Sequence, residues 1–415
     1  MPKMIRTCCS HLFALLACVA TATACGQERV SLYTFLAPPY QELNGVIGGV
    51  QFISGLTVNT VICATEKAGW EPYISLVPQS RAMYALRNSA IDGYFAGHST
   101  PELNRTLTHS NPVALEKWYF YSLKPDINPS RARIGVVNGS NEHLWLEDNG
   151  YDVFLTVSSA TQLLALLGRQ RIDTALMDSR VMQSLLAQSS EPNKEQIYRR
   201  FLRYTPLYLY VSPDFNRRHP DFLDRFNTYL TDCLNSQFAL DEEERATLVA
   251  LARELRDTLV AETDLLNAIL SGPRMESLAG ILKADSLWQA LATKEETELA
   301  RQITQLPASG QFARFVSRHR GLITEIMLTN DMGTVVAMSQ LTSDYWQGDE
   351  PKFRELAGAE SADAMYISPI RYDQSTGHFQ VTVSVPVISG ANSNPKGILV
   401  LGIDIGRALE RQPTP

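Results

Sequence analysis

Two stretches of the chain repeat one order of apolar and polar positions. In residues 77–112, Ala82, Met83, Ala85 and Leu86 fall at helical spacing, and Asn88 and Ser89 interrupt the pattern. The run 91–96 then reads as a buried strand followed by a polar loop. In the second copy, residues 163–167 make an apolar helix, 168–171 a turn and 172–178 a strand, so that Leu86 stands to Asp92 as Leu167 stands to Asp173. Two such units flanked by comparable strands predict two α/β lobes facing one cleft, with the polar loops at the strands' carboxyl ends lining it.

The remaining pattern fills in around these units. Residues 30–36 read as a strand and 37–40, with Pro38 and Pro39, as a stiff extended loop. Gly45 to Gly49 is read as opening a helix to about Lys67, with Val50, Ile53, Val61 and Ile62 inward. Strands follow at 72–77, 133–137 and 153–157, the crossing to the second lobe falls near Pro125 and Pro129, and a helix runs through Leu186. A helix from about Glu142, capped by Ser140 or Asn141, would turn its first backbone N–H groups toward the cleft as an anion site. Alternating Leu and Tyr at 207–211 give a return strand, and 222–234 an amphipathic helix packing back on the first lobe. After Leu240 the acidic start 241–245 suits a helix N-terminus, and apolar spacing over 248–269 predicts either a connector or a helix-to-helix dimer contact. Helices over 275–304, a hairpin of 321–328 and 334–338 about the turn 330–333, and strands at 365–370, 378–387 and 397–405 predict a small antiparallel sheet.

Composition changes the picture in three places. A length of 415 residues implies two or three domains. A net charge of -7 without a basic run excludes nucleic acid as the natural partner. At the N-terminus Lys3 and Arg6, an apolar stretch 12–20 and Ala22-Thr23-Ala24 read as an export signal, which places the mature chain in the periplasm. Cys25 directly after Ala24 leaves lipidation and simple secretion both open. No other stretch approaches the roughly 20 apolar residues that span a bilayer, so any message across a membrane passes through another protein. Of six cysteines, Cys63 and Cys233 remain in the folded part, either paired or as two separate buried thiols. There is no metal-binding cysteine or histidine spacing, no P-loop and no nucleophile elbow, and no cofactor is expected.

Residues 28 to about 238 resemble the family 3 periplasmic solute-binding proteins. The resemblance is carried by Pro38-Pro39-Tyr40, Ser80-Arg81-Ala82, Ile91-Asp92-Gly93, Ser99-Thr100-Pro101-Glu102, Ser110-Asn111-Pro112, the block from Ile134 to Ser140, and Arg171-Ile172-Asp173. It implies hinge closure of two lobes on a small polar ligand. By the same resemblance, Tyr40 stacks on the ligand, Ser140 supplies a hydroxyl beside its carboxylate and Asp178 pairs with its ammonium. The residues themselves also allow Asp178 to be a helix N-cap. The amino-acid binders carry an arginine after Thr-Pro-Glu where this chain has Leu103. Arg105 is either a surface residue or a shifted substitute, and the ligand class widens to cationic or uncharged solutes. Arg81 and His98 are either further cleft groups or, respectively, a surface residue at a helix N-terminus and a plain loop position. Glu102 and Glu142 are the acids that a dehydratase-type enzyme on this fold would use, or else surface or helix-start carboxylates.

The C-terminal part resembles extracellular Cache sensor domains with a PAS-like sheet, on the block Thr342 to Glu350 (TSDYWQGDE), Asp331-Met332-Gly333, Tyr372-Asp373-Gln374-Ser375 and Gly397-Ile398-Leu399. That likeness places Asp344, Tyr345, Trp346 and Asp373 near a ligand, while the residues alone also allow Trp346 to plug the sheet. The expected fold class is thus α/β: a signal peptide (1–24) and a two-lobed solute-binding domain (25–240; lobe 1 about 28–122 and 213–240, lobe 2 about 125–204), followed by a connector and an α+β PAS-like domain (241–409). The expected function is capture of a small polar or cationic solute, without catalysis. Signalling would run through a membrane protein, or delivery through the permease of an ABC transporter, and the C-terminal half would form a homodimer.

Overall fold

The structure is a computed structural model that describes residues 28–188, 196–234, 238–291, 297–373, 378–390 and 394–410. The expected signal peptide and Cys25 lie outside the described residues.

The first half runs β1 (Glu28–Thr34), β2 (Glu42–Ile47), β3 (Val50–Ser54), α1 (Leu56–Lys67), β4 (Trp70–Leu76), α2 (Gln79–Arg87), β5 (Gly93–His98), α3 (Pro101–Thr106), β6 (Thr108–His109) and β7 (Ala114–Ser122). It continues with β8 (Ile134–Val137), α4 (Asn141–Asp148), β9 (Val153–Val157), α5 (Ala160–Gly168), β10 (Thr174–Asp178), α6 (Ser179–Gln188), β11 (Tyr198–Val211), α7 (Pro213–Arg218) and α8 (Phe222–Cys233). The two α/β halves are joined in one sheet of order β4-β1-β5-β11-β7-β10-β8-β9. The long strands β7 and β11 run antiparallel at its centre: β11 pairs with β5 through Leu207 to Val211, and β7 pairs with β10 through Trp118 to Ser122. Each half keeps its own apolar clusters, one pair around Phe95 and Tyr94, the other around Leu163 and Trp118.

The expected helix from Gly45 is instead the hairpin β2–β3. Gly48 and Gly49 take φ of 57° and 82° between alternating strands, the two-residue turn that antiparallel pairing favours, and the helix begins only at Leu56. The return helix α8 packs on α1 as expected, and Cys63 of α1 is bonded to Cys233 of α8, which settles the cysteine alternatives in favour of a disulfide.

The second half runs α9 (Glu242–Glu262), α10 (Leu265–Ser271), α11 (Leu278–Leu291), α12 (Glu298–Thr304), α13 (Pro307–Arg318), β12 (Ile323–Thr329), β13 (Val335–Met338), α14 (Pro351–Arg354), β14 (Tyr366–Ile367), β15 (Arg371–Asp373), β16 (His378–Val387), β17 (Gly397–Asp404) and α15 (Ile405–Glu410). The sheet is antiparallel, in the order β13-β12-β17-β16-β14 with β15 also on β16. Helix α13 was not anticipated; Pro307 opens it where a proline also serves as a stop, and Phe312 and Phe315 bury its apolar side. One face of helix α9 packs within the chain. Its Leu248, Ala252, Leu255 and Leu259 are buried in one cluster with the C-terminal sheet, and that cluster also takes in Leu115 and Tyr204 of the first half. No helix of the described residues is long and apolar enough to cross a membrane.

Candidate functional site

Side chains of both halves converge where β5, β7 and β10 meet the start of α4. Asp178 ends β10, so its side chain reaches the first turn of α6, where Oδ1 accepts from the N–H groups of Arg180 (2.9 Å) and Val181 (3.1 Å). Its other oxygen accepts from the backbone N–H of Lys117 at 2.7 Å, and the hydroxyl of Tyr40, from the opposite half, donates to Oδ1 at 3.0 Å. Asp178 is thus a helix cap and an interlobe latch at once. Tyr40 is 2% exposed and meets Asp178 through its hydroxyl.

Asn141, the first residue of α4, makes the second bridge. Its Oδ1 accepts from Gln79 Nε2 (3.0 Å) and from the backbone N–H of His98 (3.2 Å), and its Nδ2 donates to the carbonyl of Ala96 (3.1 Å). Ala96 holds φ of 64° inside β5, a left-handed conformation that costs a side-chain-bearing residue roughly 1–2 kcal/mol. That backbone turn sits beside the β-bulge between β5 and β11, and it aims the carbonyl at α4. Ser140 is the cap of α4, its hydroxyl accepting from the N–H of His143, and it also hydrogen-bonds the carboxylate of Glu142.

Glu116 stands where these elements meet. It lies on β7 within nine consecutive buried residues and is 5% exposed; Trp118 Nε1, two residues on and on the same face, donates to its Oε2 at 2.8 Å. Burial pushes its carboxyl well above the ordinary carboxylate range, and the neighbouring Glu142 and Asp178 push it the same way. Burial likewise raises Glu142, with Asp178 adding to the rise, and raises Asp178 against the pull of its backbone donors. Glu142, expected at the surface or at a helix start, is at the helix start and close enough to Glu116 and Asp178 to act on both. Aromatic rings close the site: Trp118 lies 5.7 Å from His98 and 6.1 Å from Trp145. Burial, helped by Arg203, lowers His98 to about 4, so its ring is neutral at physiological pH.

The structure therefore brings together Tyr40, His98, Ser140 and Asp178 and leaves out Arg81, which is exposed on α2. Arg105 is exposed, Leu103 is buried in the first-half core, and Glu102 pairs with Arg87 at the surface (3.0 Å). Glu116 and Gln79 were missed. The available signal was Glu116-Lys117, a charged pair inside the otherwise apolar run ALEKWYFYS.

An acid with a raised folded-state value holds its proton more tightly folded than unfolded. It therefore withdraws stability as pH climbs from the ordinary carboxylate value near 4.3 toward the raised one. Glu116→Gln keeps an acceptor for Trp118 and removes that penalty. It is expected to melt higher than the native chain, with the difference widening toward alkaline pH; a melting series against pH with parallel curves would contradict this.

On the other side of β7, Lys117 Nζ meets Glu244 of α9 at 2.6 Å, both side chains buried, and Nζ also donates to the carbonyl of Ala239. The Tyr204 hydroxyl donates to the second Glu244 oxygen at 2.7 Å. Glu244 at the same time completes the capping box of α9 with Asp241.

In the second half, Tyr345 is fully buried against Trp288 (5.6 Å), and Asp285 accepts from the backbone N–H groups of Tyr345 and Trp346. Trp346 Nε1 donates to the carbonyl of Met332, and Tyr345 packs in the apolar cluster against the sheet. Asp344 accepts from Ser343 and Gln347. Asp344 and Asp373 both raise the part-buried Glu325, whose carboxyl is elevated chiefly by burial and is offset by Lys352. Among the described residues no group of three or more His, Cys, Asp or Glu side chains is arranged to hold a metal ion.

No protein-family model matches the sequence, and no curated protein matches it. Solved structures with similar folds include the substrate-binding protein of an amino acid ABC transporter, at 15% identity and a TM-score of 0.39, covering 49% of this chain and 92% of that one. A histidine kinase sensor domain with similarity to periplasmic binding proteins matches at 15% identity and a TM-score of 0.42, covering 50% and 90%. An amino acid ABC transporter substrate-binding protein from Streptococcus pneumoniae bound to L-arginine matches at 13% identity and a TM-score of 0.40, covering 49% and 88%.

Proposed function

We propose that the first half captures a small polar solute between its two α/β parts and that the second half passes the state of that gap to a membrane partner in the periplasm. The observation that carries this is the pair of side-chain bridges across the gap, Tyr40 to Asp178 and Asn141 to Ala96, His98 and Gln79, with only β7 and β11 continuous between the parts. A solute that competes for these bridges shifts an equilibrium between open and closed forms. The buried Lys117–Glu244 pair supports the sensing part of the reading, because it fixes the hinge strand to the helix that opens the second half. The antiparallel sheet with its first and last strands as neighbours supports the likeness to a Cache-like module, and homodimerisation through that half belongs to the same proposal. The reading is one of binding without catalysis, with Glu116 hydrogen-bonded by Trp118 and Asp178 by Tyr40.

The test is a spin-label distance between exposed positions 84 on α2 and 154 on β9, one in each part, with and without a panel of amines, amino acids and small organic acids. At least one solute is expected to narrow or shift the distance distribution and to raise the melting temperature. A distribution unchanged by every solute, or release of a chemically altered solute, would overturn the reading.

A further inference from the structure

The charge and the unpartnered atoms of the gap say more about its occupant than the fold does. Three carboxyls, Glu116, Glu142 and Asp178, act on one another there. The nearby cations are Arg180, which offsets Asp178 and lies 3.5 Å from the Tyr40 hydroxyl, and Arg203, set over the Trp145 ring at 5.8 Å. With His98 neutral, the site carries a net negative charge when its acids are ionised, and neither Glu116 nor Glu142 forms an ion pair among the described residues.

A second observation is independent of the acids. Tyr94 of β5 is fully buried, its phenol lies within electrostatic reach of Glu116, and its hydroxyl has no hydrogen-bond partner among the described residues. Gln79 Oε1 and His98 Nδ1, on the same side of the gap, also lack partners. The orientation of the Gln79 amide is fixed by chemistry. The His98 backbone N–H makes the facing Asn141 atom an oxygen, so Gln79 must turn its NH2 to Asn141 and leave its carbonyl oxygen free. A free amide oxygen accepts only. An ammonium or guanidinium brings only donors, whereas a carboxylate brings only acceptors and would face Gln79 Oε1 and two acids.

We infer that the gap selects a small organic cation, whose ammonium or guanidinium head is held by Glu116 and Glu142 with Gln79 Oε1 and the Tyr94 hydroxyl and is flanked by Trp118 and Trp145. This rests on the capture reading above and narrows it to a solute class. The carboxylates supply charge-assisted hydrogen bonds and the indole rings supply cation–π attraction, both strengthened where water is excluded.

The experiment is calorimetric titration of the full chain with putrescine, agmatine and choline, and with succinate, glutamate and glutamine as opposing probes. The same series is run on Glu116→Gln and Glu142→Gln, each first shown to be folded by its melting curve. Putrescine or agmatine is expected to bind, with affinity falling by at least about 100-fold in Glu116→Gln. Glu116→Gln is expected to melt at or above the native temperature, which separates lost recognition from lost folding. Binding confined to succinate, glutamate or glutamine overturns the cation inference while solute capture stands. Cation binding of native strength in both variants overturns the assignment of the head group. If no solute binds at all, capture itself fails and this inference fails with it.

Discussion

Replacing Glu244 with alanine is expected to destabilise the fold by about 3–5 kcal/mol, the range for removing one member of a buried ion pair and leaving the other charge without its partner. The effect is large here because one carboxylate serves three donors. Lys117 Nζ, the Tyr204 hydroxyl and the Asp241 backbone N–H all end on it, and its side chain is 1% exposed. The stranded lysine has nowhere to go: it is 3% exposed, and burial already lowers its affinity for a proton, with Glu244 the main force restoring it. Denaturant unfolding read from the intrinsic tryptophan signal would measure the loss. A double variant, Lys117→Met with Glu244→Leu, removes both charges together and is expected to recover most of it, since apolar pairs often replace buried ion pairs at little cost. A loss below about 0.5 kcal/mol in Glu244→Ala, or a double variant no better than the single one, would mean that the seam is held by its apolar contacts alone.

Replacing Cys63 and Cys233 together with serine is expected to cost about 2–5 kcal/mol. The bond joins residues 170 apart, so it closes a loop containing most of the first half, and a long loop is where a cross-link restricts the unfolded chain most. Its position adds a local expectation. Cys233 is the last residue of α8, and its carbonyl accepts from Thr60 of α1. Without the disulfide, amide exchange should rise first in residues 222–233 while the β-strands keep their protection. Uniform loss of protection across the sheet would contradict the local expectation. A stability change under about 1 kcal/mol would contradict the long-loop account.

Much of the first half was legible because it obeys simple periods. The strand at 153–157, the Ser140 cap and the α8 helix follow from alternation, capping chemistry and helical spacing, as does the strand at 378–387 in the second half. Where the sequence misled, two signals competed. Gly48-Gly49 is both a helix breaker and a hairpin turn, and the apolar alternation on either side decides for the hairpin. Pro307 ends one pattern and opens another, which hid α13. The site was half visible. Asp178 and Tyr40 were named, yet their bond to each other depends on two segments 138 residues apart meeting across the gap, which no local pattern encodes. Glu116 was hidden for the opposite reason: a lone acid in an apolar strand reads as an exception until its neighbours in space are known. For Arg81 the sequence left a cleft role and a surface role at the helix N-terminus both open, and its position on α2 is exposed.

The pleat of β7 has one more consequence. Neighbouring residues of a strand point to opposite faces, so Glu116 looks into the gap while Lys117 looks into the seam with α9. A boundary drawn near residue 240 follows the change in composition but cuts through a shared interior. A fragment ending at the disulfide would turn Leu115 and Tyr204 toward solvent and leave an ammonium without its counter-ion. Neither half is therefore portable to another protein without rewriting the strand that faces both.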